Sequence, residues 1–271
     1  MKRQTSKVLR FYLQLSFTLI VCAFLIVPVF LSVLAGLTDN VFVGLSSGFT
    51  LRWVAQVWNT YQLTIWRSIV IALACLVVTA LLGVPLAYML ARYRGGNSRV
   101  ARLFEELLMM PVAVPGLATA LALIMAYGQY RALRGSMVFI LIGHVLFTLP
   151  FMVRPVLAVM QSSQLAVLEE AAASLGATRL QRFLGVVIPN VMSGILAGAL
   201  MVVTLSIGEF NITWMLHTPL TMTLPVGLAD SYASMRLEVG SAYTLIFLFM
   251  IIPLLIAMQW VTQTTQARVR L

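Results

Sequence analysis

Two adjacent carboxylates, Glu169 and Glu170, begin the most informative stretch of this sequence, because acidic residues are scarce elsewhere in the chain. Its 271 residues include only eight Asp and Glu. The next six residues are Ala171-Ala172-Ala173-Ser174-Leu175-Gly176, and small side chains of this kind let a helix lie close against another surface. A carboxylate beside such a surface can pair with a basic or amide group of a second protein. The chemistry predicted for this stretch is therefore recognition of a partner.

The carboxylates belong to the first of two predicted short helices. Its apolar residues recur at helical spacing and share one face: Leu165, Leu168, Ala172 and Leu175. Gly176 can adopt a left-handed backbone conformation, so we expect it to end this helix.

The second short helix is predicted to begin at once. Thr178 followed three residues later by Gln181 is a capping-box pattern. The residues that follow place apolar side chains on one face: Leu180, Phe183, Leu184, Val187 and Ile188, with Pro189 next. Two short amphipathic helices at an angle predict a unit that inserts into a groove of another protein.

Composition places these helices in a polytopic membrane protein. Hydrophobic residues make up 61% of the chain and charged residues 10%, and the length allows about six spans of ~20 residues. The apolar runs are Phe11–Leu34, Ile69–Leu90, Leu107–Tyr127, Met137–Val153, Val191–Ile207 and Tyr243–Val261. The first run follows basic residues but is too long for a cleaved signal peptide, which indicates a retained anchor span. The sequence thus predicts an all-α transmembrane fold with six spans.

Basic residues predict which side of the membrane each loop faces. With an inside N-terminus, thirteen of the eighteen Lys and Arg fall in the predicted cytoplasmic segments 1–10, 92–102, 154–190 and 262–271. The other five are Arg52, Arg67, Arg131, Arg134 and Arg236. Both termini and the two short helices are therefore predicted to be cytoplasmic. This sidedness also accounts for the net charge of +10 without a nucleic-acid partner.

Several enzymatic functions are excluded by missing residues. A P-loop needs a lysine after its glycines, but the only lysines are Lys2 and Lys7, ahead of the first span. Cys22 and Cys75 both lie in apolar runs and support neither a disulfide framework nor a metal site. We therefore predict no catalytic residues, no metal and no cofactor, and any ATP used by this system must be hydrolysed by another chain.

The stretch that begins at the paired carboxylates resembles the signature loop of importer permeases, the membrane subunits of binding-protein-dependent ATP-binding-cassette transporters. That loop has Glu-Ala-Ala, three residues, Gly, nine residues, and then aliphatic, any, aliphatic, Pro. Here the pattern reads Glu170-Ala171-Ala172, Gly176, Val186, Ile188 and Pro189, with Val and Ile where the family usually has Ile and Leu.

The resemblance implies partners and a location. They are a dimer of ATP-binding subunits, a second permease subunit (identical or homologous), an extracytoplasmic solute-binding protein and the lipid bilayer of the bacterial inner membrane. The residues implied to dock the ATPase are Glu169, Glu170, Ala171, Ala172, Leu175, Gly176 and Ala177. The implied organisation is an anchor span and outer loop (1–60), a transmembrane domain (61–262) with a docking loop (158–190), and a cytoplasmic tail (263–271). The implied fold is a six-helix permease bundle.

Glu209 is the most unusual residue within the predicted spans. A buried unpaired carboxylate is costly, so Glu209 should face a partner, water or a pathway. Candidate pathway residues are Ser206, Glu209 and Asn211, and an interfacial Glu209 that reaches outer water is the alternative. By resemblance, Gly-Glu-Phe at this point is found in importers of oxyanions, polyamines, ferric iron or aminophosphonates, and the solute is expected to be small and charged, of polyamine or aminophosphonate type before inorganic oxyanion.

Two further intramembrane features leave alternatives open. His144 in the fourth predicted span can make interhelical hydrogen bonds or serve as a proton relay. Pro111, Pro115 and Gly116 interrupt the third span, as backbone lining a pathway does, although Pro and Gly are also common in ordinary membrane helices. Gly194 and Gly198 allow close packing, either within the subunit or on a partner.

The competing functions are a secondary, ion-coupled transporter and a membrane-embedded enzyme. Few charged residues lie within the spans and the sequence contains the docking loop, both of which disfavour the transporter. The enzyme is disfavoured because no catalytic cluster is present.

Overall fold

The computed structural model of the chain describes residues 2–93 and 98–269. Two of the basic residues used to predict sidedness, Arg94 and Arg270, lie outside the described residues. Within the described residues the chain is helical apart from connecting turns and an isolated antiparallel bridge between Thr38 and Phe49.

The helices follow the chain in this order: α1 (Lys2–Ala35), α2 (Arg52–Tyr93), α3 (Ser98–Ala113), α4 (Gly116–Tyr127), α5 (Arg131–Arg134), α6 (Met137–Ser162), α7 (Leu165–Ser174), α8 (Arg179–Arg182), α9 (Ile188–Asn190), α10 (Met192–Gly208), α11 (Asn211–Leu216), α12 (Leu224–Ala233) and α13 (Leu237–Val269). A 3₁₀ turn (Gly44–Ser47) precedes α2, and a π-helical turn (Phe183–Val187) joins α8 to α9.

The described helices provide four to six candidate membrane spans. Four are long and apolar enough by themselves: Arg10–Ala35, Arg52–Arg92, Met137–Ser162 and Leu237–Trp260. Two bent pairs pass together, Arg102–Ala113 with Gly116–Tyr127 at 100° and Arg179–Asn190 with Met192–Gly208 at 71°. The predicted fifth span corresponds to α10, whose 17 residues fall short of the ~20 that a bilayer core requires. Six spans are reached only if each bent pair is one span.

The third predicted span is broken at the expected place. α3 ends at Ala113, and α4 begins at Gly116 after Pro115, because proline disfavours a helical conformation in the residue before it. The other prolines behave differently: α6 continues through Pro150 and Pro155, and α13 through Pro253. The fourth predicted span is consequently longer than predicted and reaches Ser162.

The chain divides into two compact units. The larger unit contains Leu63–Val226 and the residues from Phe249 onward. Its main apolar cluster joins α2, α6, α7 and α10 through buried residues that include Ala87, Met152, Val156 and Val187. Glycine makes the closest approach possible, because a Cβ on Gly194 would lie 2.7 Å from the carbonyl oxygen of Pro155. The close packing predicted for Gly194 and Gly198 is thus within the subunit, against α6.

The smaller unit contains the residues up to Gln62 together with Gly227–Leu248. Polar contacts tie its loops together: Glu238 accepts a hydrogen bond from the Val41 amide at 3.0 Å, and Arg236 donates to the Tyr61 hydroxyl at 2.9 Å. Within this unit Gly36 at the end of α1 lies against the backbone of Ser241 and Ala242, where an added Cβ would be 2.7 Å from main-chain atoms.

Candidate docking segment and membrane-embedded polar cluster

Residues 163–189, here termed the docking segment, turn sharply at Gly176. The Ala177 amide donates to the Ala172 carbonyl at 3.1 Å and the Gly176 amide to the Ala173 carbonyl at 2.9 Å. This is the hydrogen-bond pattern of a Schellman motif, in which the residue after the helix takes a left-handed conformation. Gly176 has φ = 84°, so the prediction that it ends the first short helix is confirmed.

The second half of the segment begins with the predicted capping box. The Thr178 hydroxyl accepts from the Gln181 amide at 3.3 Å, and the Gln181 side chain accepts from the Thr178 amide at 2.8 Å. The helix then widens into a π-helical turn over Phe183–Val187, which the sequence pattern did not predict. This extra residue in the turn changes which side chains face inward, and Val187 is buried while Leu184 is exposed.

The docking segment presents both apolar and charged side chains at its surface. Glu170 and Ala171 are exposed, Ala172 and Ala177 are half-buried, and Gly176 is exposed. The large exposed apolar side chains are Val167, Leu168, Leu175, Leu180 and Leu184, with Leu175 90% exposed. Leu165, Leu168 and Leu175 were predicted to share one helix face with Ala172, but Leu168 and Leu175 are exposed, and α7 ends at Ser174, one residue before Leu175. Only Leu165 of those three joins the core.

The two adjacent carboxylates point to different surroundings. Glu169 is 4% exposed and accepts hydrogen bonds from the Tyr88 hydroxyl at 2.5 Å and from Arg92 Nη2 at 2.8 Å. Glu170 is exposed, and both carboxylates line a cavity of about 400 Å³ together with Tyr88, Arg92 and Arg182. Residues next to each other on a helix are about 100° apart, so one carboxylate faces inward and its neighbour faces out.

The Glu209 carboxylate lies at the amino end of α11. Its Oε1 accepts from the Ile212 amide at 2.8 Å, and its Oε2 accepts from the Thr213 amide and hydroxyl, both at 2.9 Å. The first amides of a helix have no partner within it, and a negative charge is favoured there. Glu209 is 8% exposed. Of the predicted alternatives, its carboxylate therefore faces hydrogen-bond donors of its own chain.

Next to the Glu209 carboxylate, the His144 side chain on α6 contacts hydroxyl groups on two other helices, α10 and α11. Its Nδ1 lies 2.8 Å from the Ser206 hydroxyl on α10, and its Nε2 lies 2.8 Å from the Thr213 hydroxyl on α11. Because the Thr213 hydroxyl gives its only proton to Glu209, it accepts from Nε2–H of the ring, and the Ser206 hydroxyl can donate to Nδ1. Interhelical hydrogen bonding by His144 is therefore confirmed.

The carboxyl end of α11 is also held by a charged side chain. Arg134 Nη1 donates to the Leu216 carbonyl at 2.6 Å, and Nη2 donates to the Met215 carbonyl at 3.3 Å. A cation at this end complements the helix dipole. Arg134 is one of the five basic residues outside the predicted cytoplasmic segments, and these contacts give it a structural role at that position.

The structure brings together only part of the predicted pathway set. Ser206 and Glu209 are buried in one cluster, whereas Asn211 is exposed on the other side of α11. Sequence reasoning missed Thr213, Arg134, Tyr88 and Arg92 as site residues. Thr213 had a usable signal, since Ser206, Glu209 and Thr213 are spaced three and four residues apart. The partners of Glu169 had no such signal, because they are about eighty residues away in the chain.

Comparison with known proteins agrees with the loop and the helical spans. Residues 83–271 match the family described as binding-protein-dependent transport system inner membrane component. The chain belongs to this family, and it is thus the multi-pass inner-membrane permease subunit of an ATP-binding-cassette importer. In this family it is a membrane component without a catalytic role of its own.

Individual relatives include permeases with different named solutes. The putrescine transport system permease protein PotI of Escherichia coli K12 is 28% identical over 214 residues, which cover 75% of this chain and 74% of PotI. The sulfate transport system permease protein CysT of Salmonella typhimurium is 31% identical over 59% of this chain and 61% of its own length. The molybdenum transport system permease protein ModB of Mycobacterium tuberculosis is 26% identical over 76% of this chain and 81% of ModB.

Proposed function

We propose that the docking segment binds an ATP-binding subunit at the cytoplasmic face and converts its movements into opening and closing of the solute pathway. The observation that carries this proposal is the surface of the segment, where Glu170 is exposed and leucines on both sides of the turn at Gly176 are exposed as well. An acidic group within an apolar surface matches a groove that offers a basic or amide group.

The complete importer is proposed to contain two ATP-binding subunits, a second permease subunit and an extracytoplasmic solute-binding protein. Membership in the family supports such a complex. The proposed orientation has six spans with both termini in the cytoplasm, supported by the thirteen basic residues on that side. The second permease subunit can be a copy of this chain or a homologue.

The proposed solute is small and charged. The relatives named above carry names that refer to putrescine, sulfate and molybdenum, and all three are permeases similar to this chain. We further propose that α11 borders the pathway, with Asn211 facing it and with Ser206 and Glu209 holding the helix from behind. Burial of Ser206 and Glu209 and exposure of Asn211 support this arrangement.

Two substitutions in the docking segment test the proposal. Gly176→Val places a β-branched side chain at φ = 84°, which costs about 1 kcal/mol or more and changes the angle between the two halves of the segment. Glu170→Lys reverses the charge at the exposed carboxylate. We expect both variants to insert normally and to lose uptake, with the ATPase either absent from the purified complex or active without transport.

Glu106→Lys is the matched control, because Glu106 is exposed on α3 and undergoes the same charge reversal away from the docking segment. Uptake and ATPase co-purification are measured on the same preparation. Wild-type uptake in both Gly176→Val and Glu170→Lys would show that this segment is an ordinary surface helix.

A further inference from the structure

We infer that Glu169, Tyr88 and Arg92 form a tether through which the docking segment moves α2. The inference rests on the proposed binding of an ATPase to the docking segment. It assigns Glu169 a different task from Glu170: Glu170 faces the ATPase, and Glu169 connects the same helix to a membrane span.

The contacts of Glu169 are those of a fixed connection. Its side chain is 6% exposed, and Oε1 receives one hydrogen bond from the Tyr88 hydroxyl at 2.5 Å and one from the Arg92 guanidinium at 2.8 Å. Hydrogen bonds to a charged acceptor are about twice as strong as those between neutral groups. Moving α7 away from the end of α2 would break both bonds at once, so the tether favours movement of the two helices together.

Tyr88 adds a second connection, to the other half of the docking segment. Its ring meets the ring of Phe183 edge-on, with centroids 5.3 Å apart, and the Arg92 guanidinium lies 4.9 Å from the centroid of Tyr88. Phe183 begins the π-helical turn that follows α8. Both halves of the docking segment therefore contact the same side chain of α2.

The tether is the polar part of a continuous packed surface. Ala87 and Leu90, one residue and two residues from Tyr88, are buried in the main apolar cluster with Leu165 of α7 and Val187 of the π-helical turn. Apolar burial is non-directional, whereas a hydrogen bond requires its donor and acceptor to lie in one geometry. The directional bonds of Glu169 fix the position of α7 along α2, which is the property a mechanical connection requires.

Three substitutions weaken the tether and leave Glu170 and the exposed leucines of the docking segment in place. Tyr88→Phe deletes one hydroxyl, Glu169→Gln removes the charge at constant shape, and Arg92→Gln removes the cation. In a reconstituted importer with its ATPase and loaded binding protein, we expect each variant to retain the ATPase and to hydrolyse ATP. The solute transported per ATP should fall about fivefold or more, which is the low end of coupling between distant sites.

Rescue and additivity distinguish coupling from simple damage. Arg92→Lys keeps a cation in reach of Glu169 and should retain most of the transport per ATP. Tyr88→Phe combined with Glu169→Gln should lose less than the product of the two single losses, because both changes act on the same hydrogen bond: Tyr88→Phe deletes its donor, and Glu169→Gln replaces its charged acceptor with a neutral one. Tyr130→Phe and Glu106→Gln are matched controls at exposed positions and should leave the ratio unchanged.

Two outcomes would overturn the tether. Unchanged transport per ATP in the three variants would show that Glu169 has no part in coupling. Loss of the ATPase from the complex, or failure of Glu169→Gln to assemble, would show that Glu169 only builds the docking surface. Docking itself is tested separately, since it fails only if Glu170→Lys and Gly176→Val transport like wild type.

Discussion

Glu209 shows how a buried carboxylate at the end of a candidate membrane span can be hydrogen-bonded entirely by its own chain. Two backbone amides and one hydroxyl donate to its carboxylate, and His144 Nε2 lies 3.6 Å from Oε2. The sequence identified Glu209 correctly as a residue that needs a partner. It did not identify that partner as the amino end of α11, because the short helix that begins two residues after Glu209 has no signal of its own in the sequence.

Glu209→Gln is expected to reduce uptake while leaving assembly and basal ATP hydrolysis largely intact. The amide of Gln presents a donor to either the Ile212 or the Thr213 amide, where the carboxylate offers only acceptors, so α11 loses part of its support. An unsatisfied buried donor costs about 1–3 kcal/mol. Solute uptake over a range of concentrations measures the effect.

Thr213→Val separates support of α11 from direct contact with solute. It removes the hydroxyl that joins His144 to Glu209 at nearly constant shape, and Thr213→Ser restores it. If Glu209 supports α11, Thr213→Val should resemble Glu209→Gln. A rise in the KM for solute in Glu209→Gln with a normal Thr213→Val would instead favour direct contact between the carboxylate and the solute.

α11 is an element that has no stability of its own. Six residues are too few for an isolated helix, so its existence depends on Glu209 at one end, Arg134 at the other and an apolar face packed on α4 and α6. Gly143 lets this face approach, because a Cβ there would lie 2.5 Å from Cγ2 of Ile212. The short helix is consequently held at both ends, and the exposed Trp214 ring lies in tilted contact with the half-buried rings of Phe210 and His217.

Gly143→Ala is expected to displace α11 and to lower both uptake and the melting temperature of the purified complex. Overpacking of this kind typically costs about 1–3 kcal/mol. Gly208→Ala is the matched control, since a Cβ at Gly208 would have no packing neighbour within 4 Å among the described residues outside its own stretch of helix. A normal melting temperature and normal uptake in Gly143→Ala would mean that α11 is not held as tightly as its contacts indicate.

Elements that are determined by neighbouring residues in the sequence were predicted, and elements that depend on distant contacts were not. The capping box at Thr178, the turn at Gly176 and the break after Ala113 are set by neighbouring residues, and all three were predicted. The π-helical turn and the exposure of Leu175 depend on how the docking segment packs on α2 and α6. The spacing of apolar residues along the sequence does not predict that packing. Gly194 could be predicted to pack closely, but α6 as its partner could not.

At the scale of the whole chain, the side of the membrane that each loop faces is a firmer prediction than the number of spans. Among the described residues, four helices are long and apolar enough to cross a membrane alone, and two bent helix pairs meet that criterion only when each pair is taken together. The sidedness of every loop rests on basic residues, so it can be tested without reference to the exact bounds of any helix.

Cysteines placed one at a time on a background without Cys22 and Cys75 give that test. We expect residues 98, 170 and 266 to be labelled by a membrane-impermeant reagent only from the cytoplasm, and residues 47 and 229 only from outside. The positive-inside distribution is the reason. Labelling of residue 170 from outside would overturn both the orientation and the assignment of the docking segment.

The turn between the two halves of the docking segment has one consequence for how this protein can vary. No atom lies within 4 Å of where a Cβ on Gly176 would be, so volume places no limit on this position. The limit is handedness, since φ = 84° suits the mirror image of an ordinary residue. D-alanine would fit there with its extra methyl group, while L-valine, although no atom obstructs it, would not. Among natural residues other than glycine, asparagine tolerates this conformation best. The backbone conformation, and not the available volume, therefore limits which residues position 176 can hold.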